Sequence, residues 1–425
     1  MFLLDQRDLA IASTASIAHQ PLVGNGLHRG ARLHGQGPAG AYHQRDYATG
    51  LSKGVLKFAD EHANAKDSLF EARAHQRCVS VSIFDRMTSR LTIRDKRQET
   101  SDTFSFELMP EQPLAYKPGQ FLTVLKKGSS GEVRRQYSFS SHPRLDLYPV
   151  ITVKRIPNGE LSRWLIDETV PGMILDTAGA SGLFTLPDAI PETVILLAAG
   201  SGITPVYSLL QELLFFHPTT RVVLIYSNRS PHDTIFFDKL NALKAAYPHR
   251  LVLEYFFSSN KDLRKARLGK VLLEELLATH IRHPAATLAY FCGPYDYRQM
   301  VNIVLQAYGL RPDQIYKEVF HSPEPSRRPE PPDKDSHRVS IRYEGKPYEV
   351  EVAYPQTILQ AALQKGILLP YSCEAGRCGA CAATCVQGEV WMQRNEVLLD
   401  KEVARGRILT CTGYPVRGDV GLVIE

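Results

Sequence analysis

Sulfur is distributed so unevenly along this chain that it restricts the fold more than any other feature. Five of the seven cysteines, Cys373, Cys378, Cys381, Cys385 and Cys411, lie in the last 53 of 425 residues. Such crowding points to a metal site rather than to a disulfide framework, which belongs to short, cysteine-dense secreted chains. The remainder is ordinary globular material, 44% hydrophobic and 22% charged, which excludes a collagen-like, disordered or disulfide-dense chain as a whole. At roughly 150 residues per domain, the length predicts about two to four domains. No run of about 18 apolar residues occurs, so no membrane span is expected. The formal charge of +5, from 50 basic and 45 acidic residues mixed along the chain, is too small and scattered for a nucleic-acid surface.

Cys373, Cys378, Cys381 and Cys411 stand as C-x4-C-x2-C followed, after 29 residues, by the fourth cysteine. This matches the plant-type [2Fe–2S] ferredoxin spacing, in which four thiolates hold two irons. Ala375, Gly376, Gly379 and Ala380 are small enough to let backbone N–H groups approach the sulfurs. A structural zinc site is the alternative, but zinc sites usually pair C-x2-C knuckles and the x4 spacing breaks that form. Cys385, one helical turn beyond Cys381, reads as a buried apolar thiol. Cys78 and Cys292 lie far away.

Residues 1–86 show no sustained period before about Leu51 and carry six of the 14 histidines. They read as mostly disordered. Asp5, Arg7 and Asp8 interrupt Phe2-Leu3-Leu4, so no signal peptide is expected. A shortage of acids between Ala10 and Gln44 leaves a transit peptide as one alternative. A second takes Met87 as the true start and the extension as mis-assigned. Residues 87–188 alternate short β runs with turns and predict an antiparallel barrel or sandwich. Residues 189–320 alternate apolar strands with amphipathic helices, Val194–Ala199 then Pro205–Phe216, Val222–Tyr226 then Phe236–Ala246, Leu288–Phe291 then Tyr297–Tyr308, and predict a parallel α/β sheet. Residues 321–337, with five prolines and alternating charges, predict an extended linker. The last unit, 338–425, opens with a hairpin turning at Glu344-Gly345 and a helix over Thr357–Lys365.

Arg135-Gln-Tyr137-Ser138 ends a β segment, with Pro118-Gly-Gln-Phe121 before it and Val153-Lys154-Arg155, then Gly159-Glu-Leu-Ser162, after it. Ala198-Ala-Gly200-Ser-Gly202-Ile-Thr204-Pro205 follows a buried strand, and Cys292-Gly293-Pro294 ends a later one. In this order the blocks resemble the ferredoxin–NADP reductase superfamily. The resemblance implies that Arg135 pairs with flavin pyrophosphate, that Tyr137 stacks on the isoalloxazine, and that the Ser138 hydroxyl lies near the hydride-accepting nitrogen. It gives Val153, Lys154, Gly159 and Ser162 to the flavin phosphate segment, and sets Cys292, with Gly293 and Pro294, against the nicotinamide. Glu318-Val-Phe320 resembles the family's E-x-F terminus near the flavin. The chemistry agrees: a guanidinium fork suits a diphosphate, an aromatic face suits a flat ring, and a glycine-rich strand-to-helix turn (Gly200, Gly202, Thr204) admits a dinucleotide phosphate. No acid follows the second α/β strand to hold a ribose diol. Ser227 and Arg229 offer a hydroxyl and a guanidinium to a 2′-phosphate instead, favouring NADPH over NADH, although Arg229 is also readable as a solvated loop residue.

The order flavin barrel, nicotinamide domain, β-grasp ferredoxin implies a converter: nicotinamide delivers a hydride, a [2Fe–2S] cluster takes one electron, and FAD must mediate. The stretch Glu402–Cys411 extends the likeness to oxygenase reductase components of the phenylacetyl-CoA epoxidase type. The expected acceptor is thus a terminal oxygenase or hydroxylase, and the expected location cytoplasmic. Residues 338–425 hold ten acids and ten bases, so no strong field recruits that acceptor. A stand-alone NAD(P)H oxidase or ferric reductase, and a redox sensor, are the alternatives.

Overall fold

The computed structural model describes residues 89–128, 131–323 and 328–424. The readings made for residues 1–86, together with Cys78 and Met87, lie outside these.

The first domain is a six-stranded antiparallel sheet built from β1 (Ser89–Thr100), β2 (Thr103–Pro110), β3 (Phe121–Gly128), β4 (Gly131–Ser138), β5 (Val150–Lys154) and β6 (Ile174–Ser181), in the order β4-β3-β6-β1-β2-β5. Phe139, just beyond β4, bridges Ile151 of β5. That bridge joins the two outer strands at one point and closes the sheet into a barrel. Leu91, Phe106, Leu122, Phe139 and Ile151 fill its interior, and α1 (Glu160–Asp167) buries Leu161 and Leu165 against them.

The second domain is a wholly parallel sheet, β11-β10-β7-β8-β9. Its strands are β7 (Thr193–Ala199), β8 (Arg221–Asn228), β9 (Leu251–Phe257), β10 (Thr287–Cys292) and β11 (Ile315–Glu318), with helices α2 (Ile203–Phe216), α3 (Phe237–Ala246), α4 (Lys270–His280) and α5 (Tyr295–Ala307) between them. Alternation along a strand sends successive side chains to opposite faces. Accordingly Val194, Leu196 and Ala198 enter one core while Ile195 and Leu197 enter the other. Both faces being covered, the strand reads as an unbroken apolar run. The sequence reading omits β9 and α4. β9 is a half-buried edge strand in which Glu254 is the only non-hydrophobic residue.

The third domain is a mixed sheet, β13-β12-β16-β14-β15, in which only β12 and β16 pair in parallel. It comprises β12 (His337–Tyr343), β13 (Lys346–Val352), β14 (Ala382–Met392), β15 (Arg407–Leu409) and β16 (Gly413–Ile424). Glu344 and Gly345 both take positive φ, as a two-residue hairpin turn matched to strand twist requires. The helix α6 (Ile358–Gln364) starts where expected because Thr357 and Gln360 form a capping box. With the helix packed on the sheet, this is the β-grasp arrangement. No described helix is long and apolar enough to cross a membrane.

Candidate functional site

Three groups of candidate residues are built in different ways. At the C-terminal edge of the parallel sheet, register alone places Glu318 beside Cys292, Cys292 beside Ala198 and Ala198 beside Tyr226. Open α/β sheets bind ligands at this edge. Gly200 to Gly202 form one 3-10 turn leading into α2, and the Thr204 hydroxyl donates back to the Ser201 carbonyl (3.0 Å). A Cβ on Gly202 would lie 2.2 Å from the Cys292 carbonyl oxygen, so the glycine turn and the Cys292-Gly293-Pro294 turn require each other. Cys292 is fully buried, and burial, reinforced by the Glu318 carboxylate, pushes its thiol well above the ordinary range. Burial, with Cys373 adding to it, raises Glu318 to about 8. Beyond β8, Arg229 is exposed, while the buried Ser227 hydroxyl and Asn228 amide nitrogen have no hydrogen-bond partner. Unpaired buried polar groups are costly, and a dinucleotide at this edge would satisfy them.

The second group lies on β4. Tyr137 pairs with Leu122 and Ser138 with Phe121 of β3. Burial raises the Tyr137 phenol, keeping it neutral. Ser138 is buried with its hydroxyl unpartnered, which fits a ligand atom supplied from outside the protein. Arg135 is exposed, its Nη1 donating to the Arg134 carbonyl (2.7 Å). The remaining candidates are engaged within the protein. Val153 is a core residue of the barrel, and Lys154 pairs with Asp102 (3.3 Å). Ser162 Oγ accepts from the Ile156 N–H (3.3 Å) and donates to the Gly159 carbonyl (3.3 Å) at the start of α1.

The third group is the sulfur loop. Cys373 touches both Cys378 and Cys411, and Cys381 touches Cys411. Among the described residues no three ligating side chains close to single-ion geometry; the thiols meet in the pairs just given. The Ala375 and Arg377 N–H groups donate to Cys373 Sγ (3.4 Å each), and Ala380 N–H donates to Cys378 Sγ (3.5 Å). Four thiols with inward N–H donors suit an anionic sulfur cluster. Cys385 differs from expectation: it is half-buried, its thiol donating to the Gln387 carbonyl (3.3 Å), because it sits on a strand where the register shifts rather than in the core.

The groups adjoin. Gln136, between Arg135 and Tyr137, donates to Ser372 Oγ (2.8 Å), and Thr123 of β3 bonds the same hydroxyl (2.9 Å). Arg134 reaches the Tyr371 carbonyl (3.3 Å) and lies over its ring. Residue 372 immediately precedes Cys373, so the sulfur loop is fastened to the β4 strand. Sequence reasoning missed the roles of Thr123, Gln136 and Ser372: Gln136 is the unassigned position inside the Arg135–Ser138 block, Ser372 adjoins Cys373, and Thr123 lies two residues beyond Phe121. It also missed Arg298, Ser322 and Glu396, which link the second and third domains.

A flavin-type barrel, a nicotinamide-type sheet and a thiolate loop fastened together define an oxidoreductase with FAD, nicotinamide and [2Fe–2S] modules. Comparison with known proteins agrees. The oxidoreductase FAD-binding domain matches residues 90–186, the oxidoreductase NAD-binding domain 196–304, and the 2Fe-2S iron-sulfur cluster binding domain 341–416. The ferredoxin reductase component of the 3-ketosteroid-9-alpha-monooxygenase of Rhodococcus rhodochrous is 34% identical over 77% of this chain and 94% of its own length. One component of the 1,2-phenylacetyl-CoA epoxidase of Escherichia coli is 32% identical over 78% of this chain and 96% of its own. The solved structure of phthalate dioxygenase reductase, 25% identical, aligns with 81% of this chain and all of its own, at a TM-score of 0.52. The chain belongs to the family of three-domain, ferredoxin-containing reductase components.

Proposed function

We propose that this protein is the reductase of an oxygenase system, taking a hydride from NAD(P)H and passing single electrons to a terminal oxygenase or hydroxylase. The names of its relatives, a ferredoxin reductase component of a monooxygenase and a component of an epoxidase, support such an acceptor. The proposed partition is 87–188 for FAD, 189–320 for the nicotinamide, 321–337 as linker and 338–425 for the cluster. In this reading Arg135 pairs with flavin phosphate, Tyr137 covers the ring and the Ser138 hydroxyl donates at its reacting edge. Cys292 borders the nicotinamide and Glu318 lies near the flavin. The start of α1 just after Gly159, with Ser162 shaping the turn, and the Gly200–Thr204 turn at the start of α2 present helix N-termini to phosphate. Cys373, Cys378, Cys381 and Cys411 ligate the cluster. When bound, FAD supplies the conversion from two-electron to one-electron chemistry. Ser227 and Arg229 favour NADPH, and dependence on that soluble nucleotide favours a cytoplasmic setting.

The observation that carries the reading is the fastening of Ser372 by Thr123 and Gln136, which holds the cluster loop against the strand assigned to the flavin. The test is an anaerobic titration with NADPH and, in parallel, NADH, following flavin and cluster absorbance separately. Bleaching of both chromophores by one nucleotide supports the reductase. Flavin bleaching with the cluster left oxidised favours a flavin oxidase instead.

A further inference from the structure

A buried arginine joins the nicotinamide turn to the third domain. Arg298, on α5 and 6% exposed, donates from Nη1 to the Gly293 carbonyl (2.9 Å). Its Nη2 donates to the His321 carbonyl (2.9 Å) and to Ser322 Oγ (3.0 Å). A hydroxyl has one proton and two lone pairs. Ser322 Oγ, having accepted from Arg298, gives its proton to Glu396 Oε2 (2.6 Å). The Glu396 N–H donates to the Gly376 carbonyl (2.9 Å), inside the loop between Cys373 and Cys378. Gly376 is fitted closely there: at φ 68°, a Cβ on it would lie 2.5 Å from the Arg394 carbonyl oxygen. That same carbonyl accepts from the Thr412 hydroxyl (2.7 Å), beside Cys411. Arg394 also pairs with the second oxygen of Glu396 (2.5 Å).

These bonds run without a break from the residue after Cys292, through the start of the linker, to the loop carrying the thiols. A guanidinium this buried is expensive unless its donors are taken. Removing the Ser322 oxygen would take an acceptor from Arg298 and a donor from Glu396 together, while touching no candidate flavin, nicotinamide or cluster residue.

We propose that Arg298, Ser322 and Glu396 form a latch that seats the iron–sulfur domain for electron transfer from the flavin. They are positioning residues, and this assignment rests on the reductase reading above. The barrel holds the loop at Ser372, before its first cysteine; the latch holds it at Gly376. With one clamp lost, the loop is left free to move relative to β4, and a misplacement of about 1 Å can cost an enzyme on the order of a hundredfold in rate.

The test uses the full chain loaded with flavin and cluster, reduced anaerobically by NADPH in a stopped-flow instrument at separate flavin and cluster wavelengths. Ser322→Ala is expected to keep the wild-type rate of flavin reduction and to slow cluster reduction by about tenfold or more. Glu396→Ala should do the same, whereas Glu396→Gln, which still accepts the Ser322 proton, should recover most of the rate. A general loss of stability would not divide the two steps in this way. Cluster reduction at the wild-type rate in both alanine variants overturns the latch. Should Ser322→Ala fail to retain both chromophores, Arg298→Lys replaces it, since a lysine cannot reach three acceptors as the fork does; an unchanged ratio of cluster to flavin rates there also overturns the proposal. If the wild-type cluster accepts no electrons at all, the reductase reading itself falls, and the latch with it.

Discussion

The nicotinamide edge and the sulfur loop solve the same problem, bringing dispersed chemistry to one place, by opposite means. The edge gathers residues near positions 200, 227, 292 and 318 through strand register and close backbone approach. The loop gathers three of its four cysteines within nine residues and needs the fold only for Cys411, which follows β15. One site is therefore vulnerable at its backbone and the other at its side chains.

The sharpest break in that comparison is Cys378→Ser. It should abolish the electron paramagnetic resonance signal of the reduced cluster while leaving flavin reduction by the nucleotide at its wild-type rate. Cytochrome c reduction should fall to whatever leaks directly from the flavin, and undiminished reduction would contradict the ligand assignment.

Next in size is Gly202→Ala, which adds a single methyl group to a backbone turn. Its Cβ would press on the Cys292 carbonyl, so the two turns must separate. Hydride transfer should drop about a hundredfold, with about 1–3 kcal/mol lost from stability and the cluster spectrum unchanged. If Gly202→Ala instead damages the cluster and spares hydride transfer, the division between the two sites is wrong.

Arg229→Ala sharpens the comparison at the outer end of the edge. A charge-assisted bond to a 2′-phosphate predicts a rise of about tenfold in KM for NADPH and little change for NADH. Equal effects on the two nucleotides would return Arg229 to the solvated loop.

The smallest effect concerns neither site but the joint between the barrel and the parallel-sheet domain. His142 Nδ1 accepts the Arg144 N–H (3.2 Å), so the ring is held neutral and donates from Nε2 to Glu212 Oε2 (2.5 Å). Burial lowers the imidazole from 6.5, and Arg144 adds to the lowering while Glu212 and Asp146 oppose it. A base whose native value is depressed binds fewer protons when folded, so its contribution is full above the ordinary value and is lost as the pH falls below it. Relative to His142→Phe, the wild-type protein should lose a few degrees of unfolding temperature between pH 7.5 and 5.5; the raised Glu318 carboxyl acts in the opposite sense in both proteins and cancels from that difference. The buried Asp146, raised by desolvation, works in the opposite direction at lower pH and limits the size of the effect.

The thiolate loop, the glycine-rich turn, the Arg135–Ser138 strand and the Thr357 cap were legible because each is local: ligand spacing, a turn's need for glycine and a capping box act within a few residues. The half-exposure of Cys385 was not legible, because it follows from a register shift between β14 and β16 that no local pattern announces.

By itself, then, the sequence determined the three modules and their order. Only the tertiary structure decided how the modules touch. Closure of the barrel through Phe139 and Ile151, the seating of Ser372 on Thr123 and Gln136, and the run from Gly293 through Arg298 and Ser322 to Glu396 bring together residues that are mostly far apart in the chain, as far as 249 positions for Thr123 and Ser372. Hydrogen bonds between such distant residues depend on geometry that forms only once every domain has folded, and serine, glutamine and arginine are too common in a sequence to announce them.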